Sequence, residues 1–258
     1  MGFHVVIPAR YASTRLPGKP LLDIGGRPMI QRVVERACAS GAEEVLVATD
    51  DARIAAAVHD PRDPARQIVV MTDPDLPSGT DRVAAVAAVR GWADDTVVVN
   101  VQGDEPFLPG ILVDQAAGLL AGDPSAGIAT LAAPIGSLEE FLDPNVVKVV
   151  AAQGGAALYF SRAPIPWSRD GAPAGLASQR EFAGALRHVG LYAYRVGTLR
   201  RITQLGPSAL EQLEKLEQLR ALEGGVRILV GPCLEQPAPG VDTVTDLERA
   251  RQRAAVQQ

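Results

Sequence analysis

Cysteine is scarce: only Cys38 and Cys233 occur, far apart and in neither a metal-ligand nor a redox spacing. That fits a reducing compartment and makes both thiols small apolar residues with no cysteine-based motif to serve. No amino-terminal basic region leads into an apolar core of roughly 7 to 15 residues, and nowhere do about 18 apolar residues run together, so neither a secretory signal nor a membrane-spanning helix is expected. A soluble cytoplasmic protein is the expectation. Positive charge is not in excess either. With 25 Lys and Arg against 30 Asp and Glu the formal net charge is -5, which argues against wholesale binding to nucleic acid or an anionic membrane and makes any local cationic segment more informative. Two nucleotide signatures are also missing. There is no G-x-x-x-x-G-K-[ST] loop, and no G-x-G-x-x-G after the first strand, which removes the dinucleotide-dependent oxidoreductases. What remains, 47% hydrophobic and 21% charged over 258 residues, is ordinary globular composition with enough length to bury a core.

Against that background the stretch Ile7 to Leu22, IPARYASTRLPGKPLL, stands out because it carries Arg10, Arg15 and Lys19 and no acidic residue. It follows the apolar run Val5 to Ile7, read as a buried parallel strand, and such sheets bind ligands in the crevice beyond the carboxyl ends of their strands. Pro8, Pro17 and Pro20 limit the conformations of the loop, Gly18 lets the backbone approach a ligand, and Ser13 and Thr14 add hydroxyls and amides. Gly18-Lys19 is followed by Pro20, which offers neither an amide hydrogen nor a hydroxyl. The stretch therefore reads as a polyphosphate-binding loop of a kind other than the P-loop, with a solvated basic loop as the plainer alternative.

Hydrophobic periodicity places a helix over Pro28 to Ser40, a strand over Val45 to Thr49, a short helix over Ala52 to Val58 and a strand over Gln67 to Met71. Strand, helix, strand, helix, strand is the start of a right-handed parallel α/β sheet. Leu76 to Arg82 is a turn-like run opening a helix from Asp81 to Arg90, and its amides and hydroxyls suit a base or ribose, although a tripeptide such as Ser78-Gly79-Thr80 more often caps a helix. Thr96 to Val101 is the most apolar strand and runs into Gln102-Gly103-Asp104-Glu105-Pro106. Two carboxylates just past a buried strand sit where a nucleotide's metal needs them, and an ordinary ionised Asp suits Mg2+. Asp50-Asp51 compete for that role, although a helix beginning there explains both as N-terminal charges.

Past a helix from Gly110 to Leu120 the pattern changes. Gly127 to Ala132, Asn145 to Ala151 and Ala156 to Phe160 are short extended runs, the last two joined by Gln153-Gly154-Gly155 as a hairpin. Ser161 to Arg187, rich in Pro, Gly and Arg, is a long irregular insertion of the kind that is functional or mobile, in a position to reach across a dimer, and Val189 to Tyr194 follows as a strand. A helix starting at Ser208, with Glu211 completing a capping box, is expected to run unbroken to Gly224-Gly225. Its leucines at 210, 213, 216, 219 and 222 wind around the axis, so it is expected to pack on several sides. Val226 to Val230 is a further strand, and Thr245 with Glu248 is expected to cap a final helix. Asp242, just before it, reads by itself as a turn residue.

Taken together, Ile7 to Leu22, Ser78 to Asp81, Asn100 to Pro106, Tyr159 to Arg162 with Ile165 to Trp167, Arg187-His188, Leu213 to Arg220 and Gly240 to Thr243 make the chain resemble the 3-deoxy-manno-octulosonate cytidylyltransferases, the CMP-Kdo synthetases. The resemblance runs from the first strand to the last helix with the blocks in order. It implies an α/β fold with a Rossmann-like mixed sheet of the nucleotide-diphospho-sugar transferase (GT-A-like) type, carrying an irregular insertion. A single domain over 1–258 is implied, about 1–125 being the nucleotide-binding half and about 126–258 the sugar-acid-binding and dimerisation half. It further implies a cytoplasmic homodimer, Mg2+ as cofactor, CTP and Kdo as substrates, and CMP-Kdo with pyrophosphate as products in lipopolysaccharide assembly. Carried over residue by residue, Arg10, Arg15 and Lys19 fall on the triphosphate loop, and Pro8 with Ser78, Gly79 and Thr80 on the cytidine side. Asp104 and Asp242 match the metal-binding carboxylates, which completes the implied catalytic set, and Arg15 is implied to face both the phosphates and the sugar acid. Gln102, Arg162, Arg169, His188, Tyr192, Glu217 and Gln218 match or lie close to positions around the sugar acid. Because Kdo is a carboxylic acid, its pocket should present guanidinium or imidazole donors, for which Arg162, Arg169 and His188 are available. No general base is evident, and metal coordination is expected to acidify the sugar hydroxyl. Still open at this point are a cytidylyltransferase acting on sialic acid or 8-amino-Kdo, and a non-catalytic nucleotide-binding module.

Overall fold

Runs of Val, Ile and Ala with little polar alternation form the central strands, as expected where helices cover both faces of a sheet. In the computed structural model, which describes residues 2–12 and 16–256, these are β1 (Phe3–Ala9), β2 (Glu44–Thr49) and, later in the chain, β4 (Val97–Val101), with a short β3 (Val69–Met71) outside β2. The helices between them are α1 (Met29–Cys38), α2 (Ala52–Ala56) and α3 (Gly79–Arg90), and α4 (Gly110–Gly122) follows β4. The second half contributes β5 (Ile128–Pro134), α5 (Leu138–Leu142), the hairpin β6 (Lys148–Ala151) and β7 (Ala157–Ser161), and β8 (Leu186–Arg195). It ends with α6 (Val196–Thr203), α7 (Ala209–Glu214), α8 (Gln218–Glu223), β9 (Ile228–Pro232) and α9 (Val244–Val256). No helix among the described residues is long and apolar enough to cross a membrane.

The sheet runs β3-β2-β1-β4-β8-β5-β9, with the β6–β7 hairpin attached through β6 to β8. Strands β1 to β4 are parallel, β8 is antiparallel to both β4 and β5, and β9 is parallel to β5, so the sheet is mixed as expected. From β1 the chain winds outward one way through β2 and β3, then returns to place β4 on the other side. That reversal opens a crevice beyond the carboxyl ends of β1 and β4, the usual ligand position of an open α/β sheet. Residues Pro8 to Arg10 and Gln102 to Asp104 lie at its mouth.

Two large apolar clusters fill the faces of the sheet, and a third, smaller one joins Leu16, Met29, Phe107, Val241 and Leu247. This third cluster ties the cationic loop, the turn after β4 and the entry to α9 into one packed unit. Cys38 is buried, and desolvation pushes its thiol up to about 12, leaving an unreactive apolar side chain.

The structure departs from the sequence expectations in three places that matter for the site. The helix expected over 208–224 is broken, its capping box at Ser208 and Glu211 intact, because Lys215 adopts a left-handed conformation with φ 56. An unbroken helix would carry leucines spaced by three over about 240° of its circumference. The break rephases them, so Leu216 and Leu219 are buried while Leu213 stays 80% exposed, and only one side packs. The last helix is capped by Thr243 and Asp246, not by Thr245 and Glu248: Asp246 N–H donates to Thr243 Oγ1 at 3.2 Å and Thr243 N–H to Asp246 Oδ2 at 2.9 Å. Starting at Val244, the helix places Asp242 in the turn before it. The short helices α5 and α6 were not anticipated.

Asp50 and Asp51 are both engaged structurally. Asp51 caps α2 by accepting from Arg53 N–H. Asp50 lies 2.6 Å from Nη2 of the fully buried Arg82, whose Nη1 donates to Thr72 Oγ1 at 2.5 Å. This ion pair anchors α3, and so the Ser78 to Thr80 segment, to the ends of β2 and β3. Removing one member of such a pair strands a buried charge at a cost of about 3 to 5 kcal/mol. A D50A variant should lose stability on that scale in equilibrium urea unfolding; a loss below about 1 kcal/mol would show that Arg82 reaches solvent instead.

Candidate active site

The site is assembled from three chain segments. Strand β1 delivers Pro8, Ala9 and Arg10 to the crevice, where Arg10 Nη2 donates to Pro77 O at 3.1 Å. The loop then closes through Gly18, whose φ of 67 favours glycine and which packs close to the Tyr11 ring, 3.2 Å from where a Cβ would sit. A single 3-10 turn over Lys19–Leu21 follows and aims Lys19 across the crevice. From the second segment, β4 exits through Gly103, where a Cβ would lie 2.9 Å from Pro8 O, so glycine alone lets the turn press against β1 and present Asp104. The third segment is the turn before α9. There Val241 N–H donates to Asp104 O at 2.9 Å, fastening Asp242 beside Asp104.

The consequence is a convergence. Lys19 Nζ lies 2.6 Å from Asp104 Oδ2 and 3.0 Å from Asp242 Oδ1, so two carboxylates from distant parts of the chain meet on one positive charge. Glu105 takes a different course: it is held behind the backbone of Gly240, where an added Cβ would lie 2.9 Å from its Oε1. Burial, reinforced by Asp104 beside it, pushes its carboxyl up to about 8, so it is protonated at neutral pH. Of the two adjacent acids after β4, only Asp104 faces the cleft.

The cleft has two compartments. The larger, about 470 Å³, is lined by Pro8, Arg10, Lys19, Asp104 and Asp242 among others. The smaller, about 210 Å³, is lined by Ser78, Thr80, Asn100, Tyr192, Tyr194 and Gln218 among others, with Lys215 and Arg220 as its cations. Gly79, Gln102 and Glu217 belong to both and form the passage between them. The helix break at Lys215 is what brings Glu217 there, where its Oε2 accepts from Thr80 Oγ1 at 2.7 Å. Ser78 does what the plainer reading of its tripeptide holds, accepting from Asp81 N–H as the cap of α3, yet it also lines the cleft. Burial raises the phenols of Tyr192 and Tyr194, so both remain neutral hydroxyl donors.

Several expected sugar-acid residues stand elsewhere. Arg162 is not among the residues lining either compartment; its guanidinium donates to Pro144 O at 2.9 Å and Glu214 O at 2.7 Å, holding the end of β7 against α7. Arg169 is exposed in the irregular stretch between β7 and β8. His188 lies behind Tyr192, ring centroids 5.2 Å apart, with its Nε2 2.9 Å from Thr130 Oγ1. Burial, with the Arg187 charge next to it, lowers the imidazole to about 3, so it is a neutral hydrogen-bonding neighbour and not a cationic donor. Arg15 lies outside the described residues. Sequence reasoning missed Asn100, Tyr194, Lys215 and Asp81, which also line the smaller compartment. Asn100 was detectable as the one polar residue inside the most apolar strand, and Tyr194 by its two-residue spacing from Tyr192, which puts both on one face of β8.

Comparison with known proteins identifies the family. Residues 4–228 match the cytidylyltransferase family. The 3-deoxy-manno-octulosonate cytidylyltransferase of Xanthomonas euvesicatoria pv. vesicatoria (strain 85-10) is 55% identical over 98% of this chain and 96% of its own length. That of Methylococcus capsulatus (strain ATCC 33009 / NCIMB 11132 / Bath) is 54% identical over 96% of this chain and 95% of its own. Among solved structures, CMP:2-keto-3-deoxy-manno-octonic acid synthetase complexed with CTP superposes with a TM-score of 0.86 at 42% identity, covering all of both chains. A cytidylyltransferase from Leptospira borgpetersenii serovar Hardjo-bovis (strain JB197), 16% identical with a TM-score of 0.59 over 99% of this chain and 87% of its own, shares the fold alone. Matches that span the cationic loop, both compartments and the whole sheet mean that the chain belongs to the cytidylyltransferase family, among the 3-deoxy-manno-octulosonate cytidylyltransferases.

Proposed function

We propose that the chain joins CTP to Kdo, giving CMP-Kdo and pyrophosphate, and so activates this acid sugar for lipopolysaccharide assembly in the cytoplasm. The observation that carries the proposal is the two-compartment cleft: a cation-and-carboxylate chamber that suits a metal-bound triphosphate opens through Gly79, Gln102 and Glu217 into a hydroxyl- and amide-lined chamber that suits a sugar, so that of the residues the resemblance gave to cytidine Pro8 and Gly79 border the nucleotide chamber while Ser78 and Thr80 line only the other. Kdo is favoured over 8-amino-Kdo or sialic acid because the relatives at 53 to 55% identity are named for it. A non-catalytic nucleotide-binding role is disfavoured because a mere binder has no need of two carboxylates facing one cation.

Mg2+ fits this donor set. Asp104 and Asp242 already converge on the Lys19 ammonium, a cation standing where a metal would be held, and Mg2+ typically takes one or two carboxylates plus substrate phosphates. Bound there, the ion supplies neutralisation of phosphate charge and acidification of a sugar hydroxyl. The rest falls to the protein. In the reaction the anomeric hydroxyl oxygen bonds to the α-phosphorus, the bond from that phosphorus to the bridging oxygen breaks, pyrophosphate leaves and the hydroxyl proton passes to solvent. Arg10 and Lys19 neutralise the departing negative charge, and Gly79, Gln102 and Glu217 align sugar and nucleotide where the compartments join. In the smaller chamber Tyr192 donates to the sugar and Lys215 stands ready for its carboxylate, while Arg220, paired with Glu211 through Nε and Nη2, adds positive charge to the wall. The chain works as a homodimer in this reading, with β7 and the irregular stretch after it, which expose Leu158, Trp167 and Leu176, as the surface for the second copy.

Pyrophosphate release from CTP and Mg2+, with Kdo, 8-amino-Kdo and sialic acid compared, tests the assignment directly: Kdo should be turned over most efficiently, and silence with all three defeats it. D104A should lower kcat about 100- to 1,000-fold, the scale on which a transition-state charge stabiliser acts; near-normal turnover would remove Asp104 from the chemistry. In Y192F the KM for Kdo should rise about tenfold, one hydrogen bond's worth, with that for CTP little changed. An equal rise for both substrates would move Tyr192 out of the sugar chamber.

A further inference from the structure

The Lys19 contacts contain more than a substrate-binding role. Its Nζ does not point at open solvent in the phosphate chamber; it is inserted between Asp104 and Asp242, with its side chain only 13% exposed. We propose that Lys19 is a tenant of the metal site: in the nucleotide-free protein its ammonium holds the place between the two carboxylates, and a divalent cation is admitted when a nucleoside triphosphate draws that ammonium away. The inference rests on the reading of Asp104 and Asp242 as metal ligands.

Three observations carry it. The first is charge. Asp104 and Asp242 are brought together by the Val241–Asp104 backbone bond and by the packing of Leu16, Phe107 and Val241. Two like charges held this way repel, and a compact ammonium with three donors relieves that repulsion. The second is mobility of the right part. The backbone of Lys19 is fixed, its N–H donating to Leu16 O at 3.1 Å and its carbonyl accepting from Leu22 N–H at 3.2 Å, with Pro20 buried behind it. Only the four-carbon stem has to move, and it already lines the chamber together with Arg10, so phosphate oxygens entering there compete for the same ammonium. The third is the small size of the donor set. Among the described residues no group of three or more His, Cys, Asp or Glu is placed to hold a metal. A two-carboxylate site is completed by substrate oxygens, and a lysine within it weakens metal binding further until the nucleotide arrives.

The exchange keeps a cation between the two carboxylates throughout. Lys19 leaves them for the phosphates as the nucleotide brings its own divalent ion. The chain therefore takes up metal as the nucleotide complex and holds free divalent ions poorly, which ties loading of the metal site to loading of the nucleotide site.

The test uses Mn2+ as a spectroscopic stand-in for Mg2+ and reads free Mn2+ by electron paramagnetic resonance, with no turnover involved. Nucleotide-free wild-type protein should bind Mn2+ weakly, whereas K19M and K19Q should each bind it about 100-fold tighter, the scale of two charge-assisted hydrogen bonds no longer broken at about tenfold each. Adding D104N to K19M should erase the gain. If neither K19M nor K19Q binds Mn2+ more tightly than wild type, the tenant role is overturned. A second arm isolates the reading beneath it: with a CTP analogue carrying methylene at the α,β-bridge, wild type should retain Mn2+ and D104N should not. Equal retention by both overturns the metal assignment and the tenant role together. Loss in D104N without a gain in K19M and K19Q overturns the tenant role alone.

Discussion

The arrangement depends on holding two acidic side chains against one cation at the mouth of a parallel sheet. Asp104 reaches that point from the turn after β4 and Asp242 from the turn before α9, and a single backbone bond from Val241 to Asp104 O sets their spacing. Lys19, projecting from a rigid turn, supplies the charge that makes the pairing tolerable. A small apolar cluster beneath, with Leu16, Phe107 and Val241, locks the three segments together. Without that packing the two carboxylates would have no reason to approach, since like charges separate wherever the backbone lets them.

The sheet explains why the convergence occurs there. Reversal of strand order between β1 and β4 leaves a gap beyond their carboxyl ends that no crossover helix fills. Two glycines then let the walls of the gap close to ligand dimensions: Gly103 brings the β4 turn against Pro8, and Gly18 folds the cationic loop over Tyr11. On the far side, the buried Asp50–Arg82 pair fixes the start of α3, so Gly79 and Thr80 form a firm boundary between the two chambers. Structural ion pairs and cleft-facing carboxylates thus occupy neighbouring strand ends.

Much of this was legible in the chain itself. Acid-free basic character marked Arg10 and Lys19, and an acidic turn just past the most apolar strand marked Asp104, because local composition reports local chemistry. The parallel first half was equally readable, since strand and helix periodicities alternate cleanly there. Arg162 and His188 were harder. Both have the chemistry to meet a carboxylate, but Arg162 is occupied by Pro144 and Glu214 carbonyls and His188 is held neutral by burial, and neither fact exists before the chain folds. The helix break at Lys215 was hidden for a related reason: leucines every three residues fit an unbroken helix equally well until one side is required to face the core.

By itself, the sequence determined most of the strands and helices, above all in the parallel first half, along with the cationic loop and the identities of the acids, because these follow from periodicity, proline and glycine placement, and residue chemistry within a few positions. Tertiary structure alone decided which acids meet, which arginines are already engaged, and that Glu217 and Tyr194 share a cleft with Lys19 and Asp104 through its two joined chambers. The physical reason is that such pairings join residues far apart in the chain. Their energies come from burial and from charges brought within a few ångströms, quantities that take their values only when the packed sheet sets the distances.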